Sequence, residues 1–466
     1  MSRAGQVEVT VGIDIGTTSV KAVAADADGR VVAAGRVPHE LHASHAGELA
    51  HDAGAAWRDG VLAALDGVTG PAPDGDELVV RGVQVAAMVP SLCAVDGEGR
   101  PISPGILYGD ERGRVAVDPD TGESEELLHL LEWLVEHHPD AAGYWPAQAV
   151  ANHALSGVGA IDPIVAYLAS PLYDGRQWDP AAAADAGLGE VARLPVVARG
   201  SRPIGTVARA GGAPLGGGTI DALGEQLVGG ATGDGDVLVI LGSTLIVWTV
   251  LDEERHVGGL WTVPGASGRW LIGGPSNAGG LFVGWVSRLL GTDQHRLGTV
   301  GAVAVAVDPD PVDLDPARVP VWQPYLRGER VPFHDPTRRA SLHDLDIGLG
   351  PDAVRRAAHE ASAFAVRHQL DLAGITARRI VATGGGAHDA GWVHALADGT
   401  GLPVDVVAVP EGGALGAAWL ARQVAGLDER GADASGWVRI ERRVDPDARW
   451  VGPAAERYRR YRALAG

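Results

Sequence analysis

The chain has 466 residues, of which 46% are hydrophobic and 21% charged, and its formal net charge is −21 at pH 7. This length exceeds what one hydrophobic core usually organises, so two domains are predicted. The acidic excess argues against nucleic acid and anionic membranes as partners, because both select basic surfaces. One cysteine, Cys93, excludes an intrachain disulfide framework. Without a signal-peptide core or a membrane-length apolar run, a cytoplasmic location is expected.

The first predicted elements are strands joined by tight turns. Apolar residues alternate with polar or small ones over residues 7–13, the period-two pattern of a strand with one buried face. Asp14 ends this strand, and Gly16, Thr17 and Thr18 turn the chain into a second apolar run. A carboxylate beside such a turn suits a phosphate–metal complex, with backbone N–H groups and hydroxyls facing phosphate oxygens. A surface hairpin with an ordinary turn aspartate is the alternative.

Strand-like and helical segments then alternate along the chain. Further strands are predicted at Leu78–Ala87, Ser91–Val95, Val237–Val250 and Arg379–Thr383. Apolar residues recur at helical spacing over 281–289 and 351–365. This alternation favours an α/β architecture.

A Gly/Asp-rich stretch at residues 229–236 marks the predicted domain boundary, giving domains of 1–230 and 231–466. The two halves echo each other, because each begins with a strand that runs into a Gly–Ser/Thr turn. The second of these turns is Gly242, Ser243 and Thr244. Two related domains with a cleft between them are a common setting for a ligand.

Several motifs follow one another in a specific order. They are DIGTTSVKAV from Asp14, DGEGRPISPGILYGDERG at 96–113, GGGTIDALGEQL at 216–227, GDVLVILGSTLIV at 235–247, GGPSNAGGLFVGW at 273–285, PYLRGERVPFHDP at 324–336, ATGGGAHDAGWVHALADGTGLPV at 382–404 and EGGALGAAWLA at 411–421. In this order the chain resembles the FGGY family of carbohydrate kinases, and most of all its xylulokinase-like members. The resemblance implies an α/β fold of two ribonuclease-H-like domains, the actin/hexokinase/Hsp70 ATPase superfold, with an interdomain cleft.

The resemblance also implies roles for individual residues. Asp14 matches the aspartate that binds Mg²⁺, directly or through water, and Asp221 matches the catalytic base. Asp110 and Arg112 fall beside the sugar, as do Met88 and Val89. The segments that correspond to the ATP site are Gly16, Thr17 and Thr18 in a first phosphate loop, Gly242, Ser243 and Thr244 in a second, and Gly384, Gly385 and Gly386 at the adenosine.

The chemistry of Asp221 agrees with this role. A sugar hydroxyl is a poor nucleophile at pH 7, and a carboxylate within hydrogen-bond reach takes its proton as attack proceeds. Asp221 follows a glycine-rich turn, where a ligand can approach closely. The alternative is structural, with Thr219 or Asp221 capping a helix over 222–227.

Two features stand apart from the family pattern. Xylulokinases usually carry Gln-Met-His-Gly at a sugar contact, where this chain has Met88-Val89-Pro90-Ser91. A site without hydrogen-bonding groups there tolerates or prefers an acceptor that lacks the hydroxyl. Lys21 is the only lysine in the chain, which hints at a local requirement, although chance explains it equally well.

The predicted function is ATP- and Mg²⁺-dependent phosphorylation of a small sugar or polyol, above all a ketopentose such as xylulose. Asp221 is the base and Asp14 the metal ligand in this prediction. The alternative is a nucleotide-binding switch or a degenerate kinase homologue without sugar turnover. ATP and the sugar or polyol are the expected small-molecule partners, and a homodimer is left open.

Overall fold

The computed structural model describes residues 5–44, 47–72, 75–113, 126–198, 202–265, 268–291, 314–408, 411–429, 431–432 and 434–465. They form two compact units. The first holds the described residues up to 113 and from 126 to 228, together with Glu411–Val438. The second holds Gly229–Pro410 and Arg439–Gly466. Among the described residues the second unit thus begins at Gly229, while Glu411–Val438 belongs to the first unit.

The first unit contains both the opening hairpin and the helix of the GGGTIDAL motif. Its strands are β1 (Gln6–Ile15), β2 (Ser19–Ala25), β3 (Val31–Pro38), β4 (His42–Ala43), β5 (Leu49–His51), β6 (Glu77–Ala87), β7 (Ser91–Val95), β8 (Gly105–Leu107), β9 (Gly143–Trp145), β10 (Ala160–Ile161), β11 (Val196–Val197), β12 (Gly205–Val207), β13 (Ala213–Leu215) and β14 (Thr219–Ile220). Its helices include α1 (Gly60–Val68), α2 (Glu126–His137), α3 (Ala147–Ser156), α4 (Pro163–Tyr167), α5 (Pro180–Asp185) and α6 (Asp221–Gly229). A π-helical segment, Gly54–Asp59, leads into α1, and short 3₁₀ turns lie at Glu111–Gly113, Val191–Arg193 and Ala208–Ala210.

The main sheet of this unit has the order β12-β13-β6-β1-β2-β3, and β14 also pairs with β6. β1, β2 and β3 are antiparallel neighbours, whereas β6 runs parallel to both β1 and β14. A second sheet, β4-β5-β8-β7-β9, and the pair β10-β11 complete the unit. The predicted first two strands are confirmed as the antiparallel pair β1–β2. The apolar residues of the period-two pattern pack against α1 and α3, but the expectation of a single buried face was wrong, because β1 is buried on both faces from Val9 onwards.

The second unit repeats this plan with longer helices. Its strands are β15 (Asp236–Leu241), β16 (Leu245–Leu251), β17 (Trp261–Pro264), β18 (Trp270–Ser276), β19 (Val321–Gln323), β20 (Ser341–His343), β21 (Arg379–Thr383), β22 (Val404–Val407) and β23 (Ile440–Val444). The remaining helices are α7 (Gly280–Leu289), α8 (Pro351–Ala373), α9 (Ala390–Thr400), α10 (Gly412–Val424), which belongs to the first unit, and α11 (Ala448–Ala465). Two 3₁₀ turns lie at Gly385–His388 and Ser435–Trp437.

The main sheet here has the order β17-β18-β16-β15-β21-β22-β23, beside a separate pair β19-β20. β15, β16 and β18 are antiparallel neighbours, and β21 is parallel to β15. The apolar stripe predicted over 351–365 is buried in α8, which packs on this sheet with α9. Within the described residues, no helix is long and apolar enough to cross a membrane.

Helix α10 lies directly on the sheet of the first unit. A Cβ atom at Gly12 of β1 would come within 1.9 Å of the Ala414 carbonyl oxygen, and one at Gly82 of β6 within 2.5 Å of the Ala421 carbonyl oxygen. Only glycine permits so close an approach of helix and strand backbones. This packing holds the start of α10 beside Asp14.

Candidate active site

Two aspartates lie where neighbouring strands of the first unit end. Asp14 is aligned with Ala86 in the parallel pair β1–β6, and Thr219 is aligned with the same Ala86 in the pair β6–β14. Asp221 follows β14 immediately, as the first residue of α6. Only β6 separates the two strands at this point, so the two backbones lie about 10 Å apart. The carboxyl ends of parallel strands are where α/β proteins commonly bind ligands.

Asp14 is a buried carboxylate with spare acceptor capacity. Its side chain lies against Gly413, where a Cβ atom would be 3.0 Å from the carboxylate carbon. Its Oδ1 accepts no hydrogen bond from any described residue. Burial raises the pKa of Asp14 to about 7; Lys21 opposes this rise, and Asp221 and Glu411 add to it. Such an orphaned oxygen fits a hard cation, for which carboxylate is a preferred ligand.

Lys21 supplies positive charge to both aspartates. It stands directly opposite Asp14 in the antiparallel pair β1–β2. Its ammonium group lowers the pKa of Asp14 and that of Asp221 against the effect of burial. The only lysine of the chain is therefore part of this cluster.

Asp221 is a partly buried carboxylate at the start of α6. Burial raises its pKa, while the hydrogen bond from the Ala222 N–H and the charge of Lys21 lower it. The Ala222 N–H donates to Oδ1 at 2.7 Å, which occupies one of the two oxygens. The carboxylate thus takes part in the helix start, as the capping alternative expected, and still retains acceptor capacity for a ligand.

The turn after Asp14 is held by a chain of buried hydrogen bonds. The Gly16 N–H donates to the Ser19 carbonyl, and the Thr17 hydroxyl lies 3.3 Å from that of Tyr108. The indole N–H of Trp57 donates to Nδ1 of His51, so the proton of this imidazole is on Nε2, which donates to the Thr17 carbonyl at 2.8 Å. Burial lowers the pKa of His51 to about 4, which keeps the ring neutral.

The residues predicted beside the sugar differ in how accessible they are. Asp110 is fully buried, and its oxygens accept hydrogen bonds from the Arg112 guanidinium and the Leu49 N–H. Arg112 keeps 15% of its side chain exposed and lies over the ring of Trp133, 4.9 Å from its centre. Direct contact of Asp110 with a ligand would require this ion pair to open, whereas Arg112 needs no rearrangement.

Met88 and Val89 continue from β6, next to the strand that leads to Asp221. The last aligned pair of β6 and β14 is Ala87 with Ile220. Met88 and Asp221 are therefore the residues that directly follow these two strands. Met88 is buried and Val89 partly exposed. Of the two, Val89 therefore offers the accessible surface.

In the second unit, the predicted second phosphate loop is fastened to the start of α7. The Gly280 N–H donates to the Gly242 carbonyl at 2.8 Å, and the Leu281 N–H donates to the Ser243 carbonyl at 3.0 Å. A Cβ atom at Gly279 would lie 2.4 Å from the backbone of Thr244. The turn is thus fastened to the start of α7 by the first two N–H groups of that helix.

The strand before α7 is anchored by a buried carboxylate. Glu329 accepts hydrogen bonds from the Ser276 hydroxyl and from the N–H groups of Asn277 and Arg330. Burial nevertheless raises the pKa of Glu329 to about 7. Its position behind the turn gives Glu329 a structural role.

The three glycines at the end of β21 have separate reasons to be glycine. Gly384 has φ +84°, in the left-handed region that favours glycine. A Cβ atom at Gly386 would lie 2.4 Å from the ring of Trp392. At Gly385 a Cβ atom would meet no described heavy atom within 4 Å, so this position is open. Gly385 is the one of the three whose surroundings leave space for a ligand.

Models of one protein family match both halves of the chain. The N-terminal domain of the FGGY family of carbohydrate kinases matches residues 9–119, and the C-terminal domain of the same family matches residues 237–423. Together these matches cover well over half of the chain. The chain belongs to the FGGY family of carbohydrate kinases. ATP and a sugar are therefore its substrates, and the prediction of a carbohydrate kinase is confirmed.

Relatives of this FGGY kinase extend over nearly its whole length. The xylulose kinase of Streptomyces rubiginosus is 27% identical, over 90% of this chain and 88% of that protein. The crystal structure of xylulose kinase from Rhodospirillum rubrum matches with a TM-score of 0.79 at 26% identity, covering 98% of both chains. The gluconate kinase structure from Lactobacillus acidophilus, with a TM-score of 0.81 at 18% identity over 98% of this chain and 97% of that one, shows the fold alone. The predicted α/β superfold is confirmed.

Three residues beside the two aspartates, Lys21, Glu411 and Gly413, had no role in the prediction from sequence. In the sequence, Lys21 was notable only as the single lysine. Its alignment with Asp14 shows that it lies beside the aspartates. Glu411 and Gly413 lie in the EGGALG motif, whose glycines signal close packing but not its partner. Within the described residues, no group of three or more His, Cys, Asp or Glu side chains is arranged to hold a metal ion.

Proposed function

We propose that this kinase transfers the γ-phosphate of ATP to a hydroxyl of a small ketose or polyol, with ketopentoses such as xylulose as the leading class. The observation that carries the proposal is the cluster of Asp14, Lys21 and Asp221, which lie at the end of β1, near the start of β2 and directly after β14, respectively. Phosphoryl transfer requires charge relief on the phosphate and an aligned acceptor hydroxyl rather than much covalent chemistry. The xylulose kinases among the relatives support the substrate class.

Asp221 is proposed as the general base. Desolvation raises its pKa above that of an ordinary aspartate, which strengthens the carboxylate as a proton acceptor for the attacking hydroxyl. The Ala222 N–H fixes one oxygen and thereby orients the carboxylate. The charge of Lys21 lowers the pKa of Asp221 against the effect of burial.

Asp14 is proposed as the residue that holds Mg²⁺, directly or through water. Its buried and unbonded Oδ1 fits an oxygen-seeking cation, and a single carboxylate suits Mg²⁺, which retains waters and binds substrate phosphates. When bound, the ion supplies charge neutralisation on the phosphate oxygens. The turns Gly16–Thr18 and Gly242–Thr244 would hold the phosphates through N–H and hydroxyl groups, and Gly384–Gly386 would border the adenosine.

The substitution Asp221→Asn tests the assignment of the base. The amide keeps the size of the side chain but cannot accept the proton, so kcat should fall by about 10²–10⁴-fold with little change in KM. ADP release is measured across ketopentoses, ketohexoses, polyols and aldonates with ATP and Mg²⁺. The matched control is Asp66→Asn, which removes an exposed carboxylate of the same unit that pairs with Arg209. Near-wild-type kcat for Asp221→Asn would contradict the assignment of Asp221 as the base. Nucleotide binding without turnover of any sugar would favour the alternative of a nucleotide-binding switch.

A further inference from the structure

A small pocket opens beside Val89 in the first unit. Val89 forms part of its wall, together with side chains from α2, from α4 and from the turn that follows α4. Its cavity volume is about 30 Å³. One water needs roughly 10–15 Å³ of such volume, so the space corresponds to about two or three waters or to a small alkyl group.

The walls of this pocket offer a ligand almost nothing to hydrogen-bond. Most lining residues are aliphatic, and the polar side chains of the other three already take part in hydrogen bonds, which leave only the Ser91 O–H to donate to a ligand. The Ser91 hydroxyl accepts from the Ala147 N–H, the Tyr144 hydroxyl donates to the His138 carbonyl, and the Trp178 indole donates to the Pro195 carbonyl. Because a buried water or hydroxyl needs two or more polar partners, the pocket favours an apolar occupant.

The pocket is tied to the strand that leads to Asp221. The side-chain amide of Gln148 donates to the carbonyls of Ala87 and Thr219, joining the ends of β6 and β14. The Asp162 N–H, next to the lining residue Ile161, donates to the Gly217 carbonyl. Val89 itself is two residues beyond the end of β6. The pocket is therefore anchored on the same backbone segments that position the proposed base.

We propose that the phosphoryl acceptor carries a small apolar group, of methyl to ethyl size, which enters this pocket beside Val89. The inference rests on the proposed function, since it assumes that the acceptor binds next to Asp221. The acceptor class is then a deoxy- or alkyl-substituted ketose or polyol rather than a fully hydroxylated one. An apolar pocket distinguishes acceptors that differ by one carbon by about 10–200-fold in kcat/KM.

The test uses pairs of ketoses and polyols that differ only in a terminal CH₃ in place of CH₂OH. The CH₃ member of at least one pair should show the higher kcat/KM, by tenfold or more. Ala169→Val narrows the pocket, and should abolish this preference by lowering kcat/KM for the CH₃ member more than for the CH₂OH member. Val165→Ala enlarges the pocket and should shift the preference towards an acceptor longer by one carbon.

The possible outcomes separate the pocket from the proposed function. Turnover with a preference for CH₂OH acceptors overturns the proposal that the pocket binds an apolar group, and leaves the proposed kinase mechanism intact. A preference for CH₃ acceptors that neither Ala169→Val nor Val165→Ala alters also overturns this proposal. Absence of turnover with every acceptor overturns both proposals. If Ala169→Val does not fold, Val165→Ala decides, because the smaller side chain adds no steric conflict.

Discussion

The hairpins β1–β2 and β15–β16 have the same layout but different chemistry. In each, an antiparallel pair is joined by a turn of glycine and hydroxyl residues. Two residues before the turn glycine, the first hairpin has Asp14, which is aligned with Lys21. At the same place the second hairpin has Ile240, aligned with Ile246. A repeated backbone therefore carries a pair of opposite charges in one copy and an apolar pair in the other.

The two hairpins show that the same backbone arrangement can carry different side-chain chemistry. Both turns present N–H groups and hydroxyls, which is all that phosphate binding requires. Only the first hairpin adds a carboxylate without a hydrogen-bond donor among the described residues. In the second unit the carboxylate of Glu329 is instead fully engaged behind the turn, by Ser276, Asn277 and Arg330.

The largest expected effect is that of Asp14→Asn. The neutral amide oxygen is a weaker cation ligand than a carboxylate, so kcat should fall by about 10²–10³-fold or more, and the Mg²⁺ concentration for half-maximal rate should rise. Thermal stability should not fall, because a buried carboxylate is replaced by a neutral group. Initial rates of ADP release against Mg²⁺, with thermal unfolding of the same samples, check both expectations.

The matched change in the other hairpin is Ile240→Val. It should leave kcat within about twofold and cost roughly 0.5–1.5 kcal/mol of stability, as the loss of one buried methylene does. Equal losses of kcat in the two variants would mean that the hairpins do not differ in the way proposed. So would an Asp14→Asn enzyme with more than a tenth of the wild-type kcat.

Much of the first hairpin was predictable because its signals are local. The alternation in residues 7–13 and the glycine turn lie within one short segment, and the helical stripe of α8 is equally continuous in sequence. Roles for Asp14 and Asp221 were predicted through the family motifs. β6 and β14 bring them together from positions that no periodicity connects.

Contacts between distant segments could not be predicted in the same way. Asp110 receives the N–H of Leu49, 61 residues away, so its burial depends on how β5 and the LYGDERG segment meet. Helix α10 packs on β1 through Gly12 although some 400 residues separate them. A glycine-rich motif indicates that some backbone comes close, but the identity of that backbone is a property of the folded chain.

Lys21→Met sharpens the comparison by removing the cation of the first hairpin while keeping an unbranched side chain. Both aspartates lose their favourable partner, and kcat should fall by about 10–100-fold. Lys21→Arg should recover most of the loss, which a purely structural role for the side chain would not require. Ile246→Met is the matched control in the second hairpin and should retain full activity.

A second measurement exploits the single lysine. Amine-specific acylation of side chains can modify only Lys21, and ATP with Mg²⁺ should slow it several-fold if the ammonium group faces the nucleotide site. Unchanged acylation with saturating nucleotide, together with wild-type kcat for Lys21→Met, would remove Lys21 from the site.

Glu329→Gln tests whether the carboxylate of the second unit is structural. Its pKa in the folded protein is about 7, against 4.5 for the unperturbed group, so its contribution to stability is greatest in acid and is lost as the pH rises through 7. The glutamine oxygen can accept from Asn277 and Arg330, and its amide can donate to the Ser276 hydroxyl. Between pH 5 and 8 the wild type should lose about 2–3 kcal/mol more than the variant.

Urea unfolding at several pH values measures this difference, with the exposed Glu441→Gln as control. The activity of Glu329→Gln at pH 7 should stay close to that of the wild type, since the carboxylate is expected to touch no ligand. Parallel pH profiles of stability in the wild type and the variant would contradict the buried, easily protonated carboxylate. A collapse of kcat with unchanged stability would instead give Glu329 a part in the site.

The smallest expected effect separates two adjacent glycines of the second unit. A methyl group at Gly385 enters open space, so Gly385→Ala should fold like the wild type and raise the KM for ATP by about three- to tenfold, while the KM for the sugar stays the same. A methyl group at Gly386 meets the ring of Trp392 at 2.4 Å, so Gly386→Ala should lower stability by about 1–3 kcal/mol. Thermal unfolding and ATP titrations of both variants provide the comparison. If Gly385→Ala changed neither KM, the adenosine would have to bind away from this turn, and the hydroxyl-bearing turn at Gly242 would remain the only proposed ATP contact of the second unit.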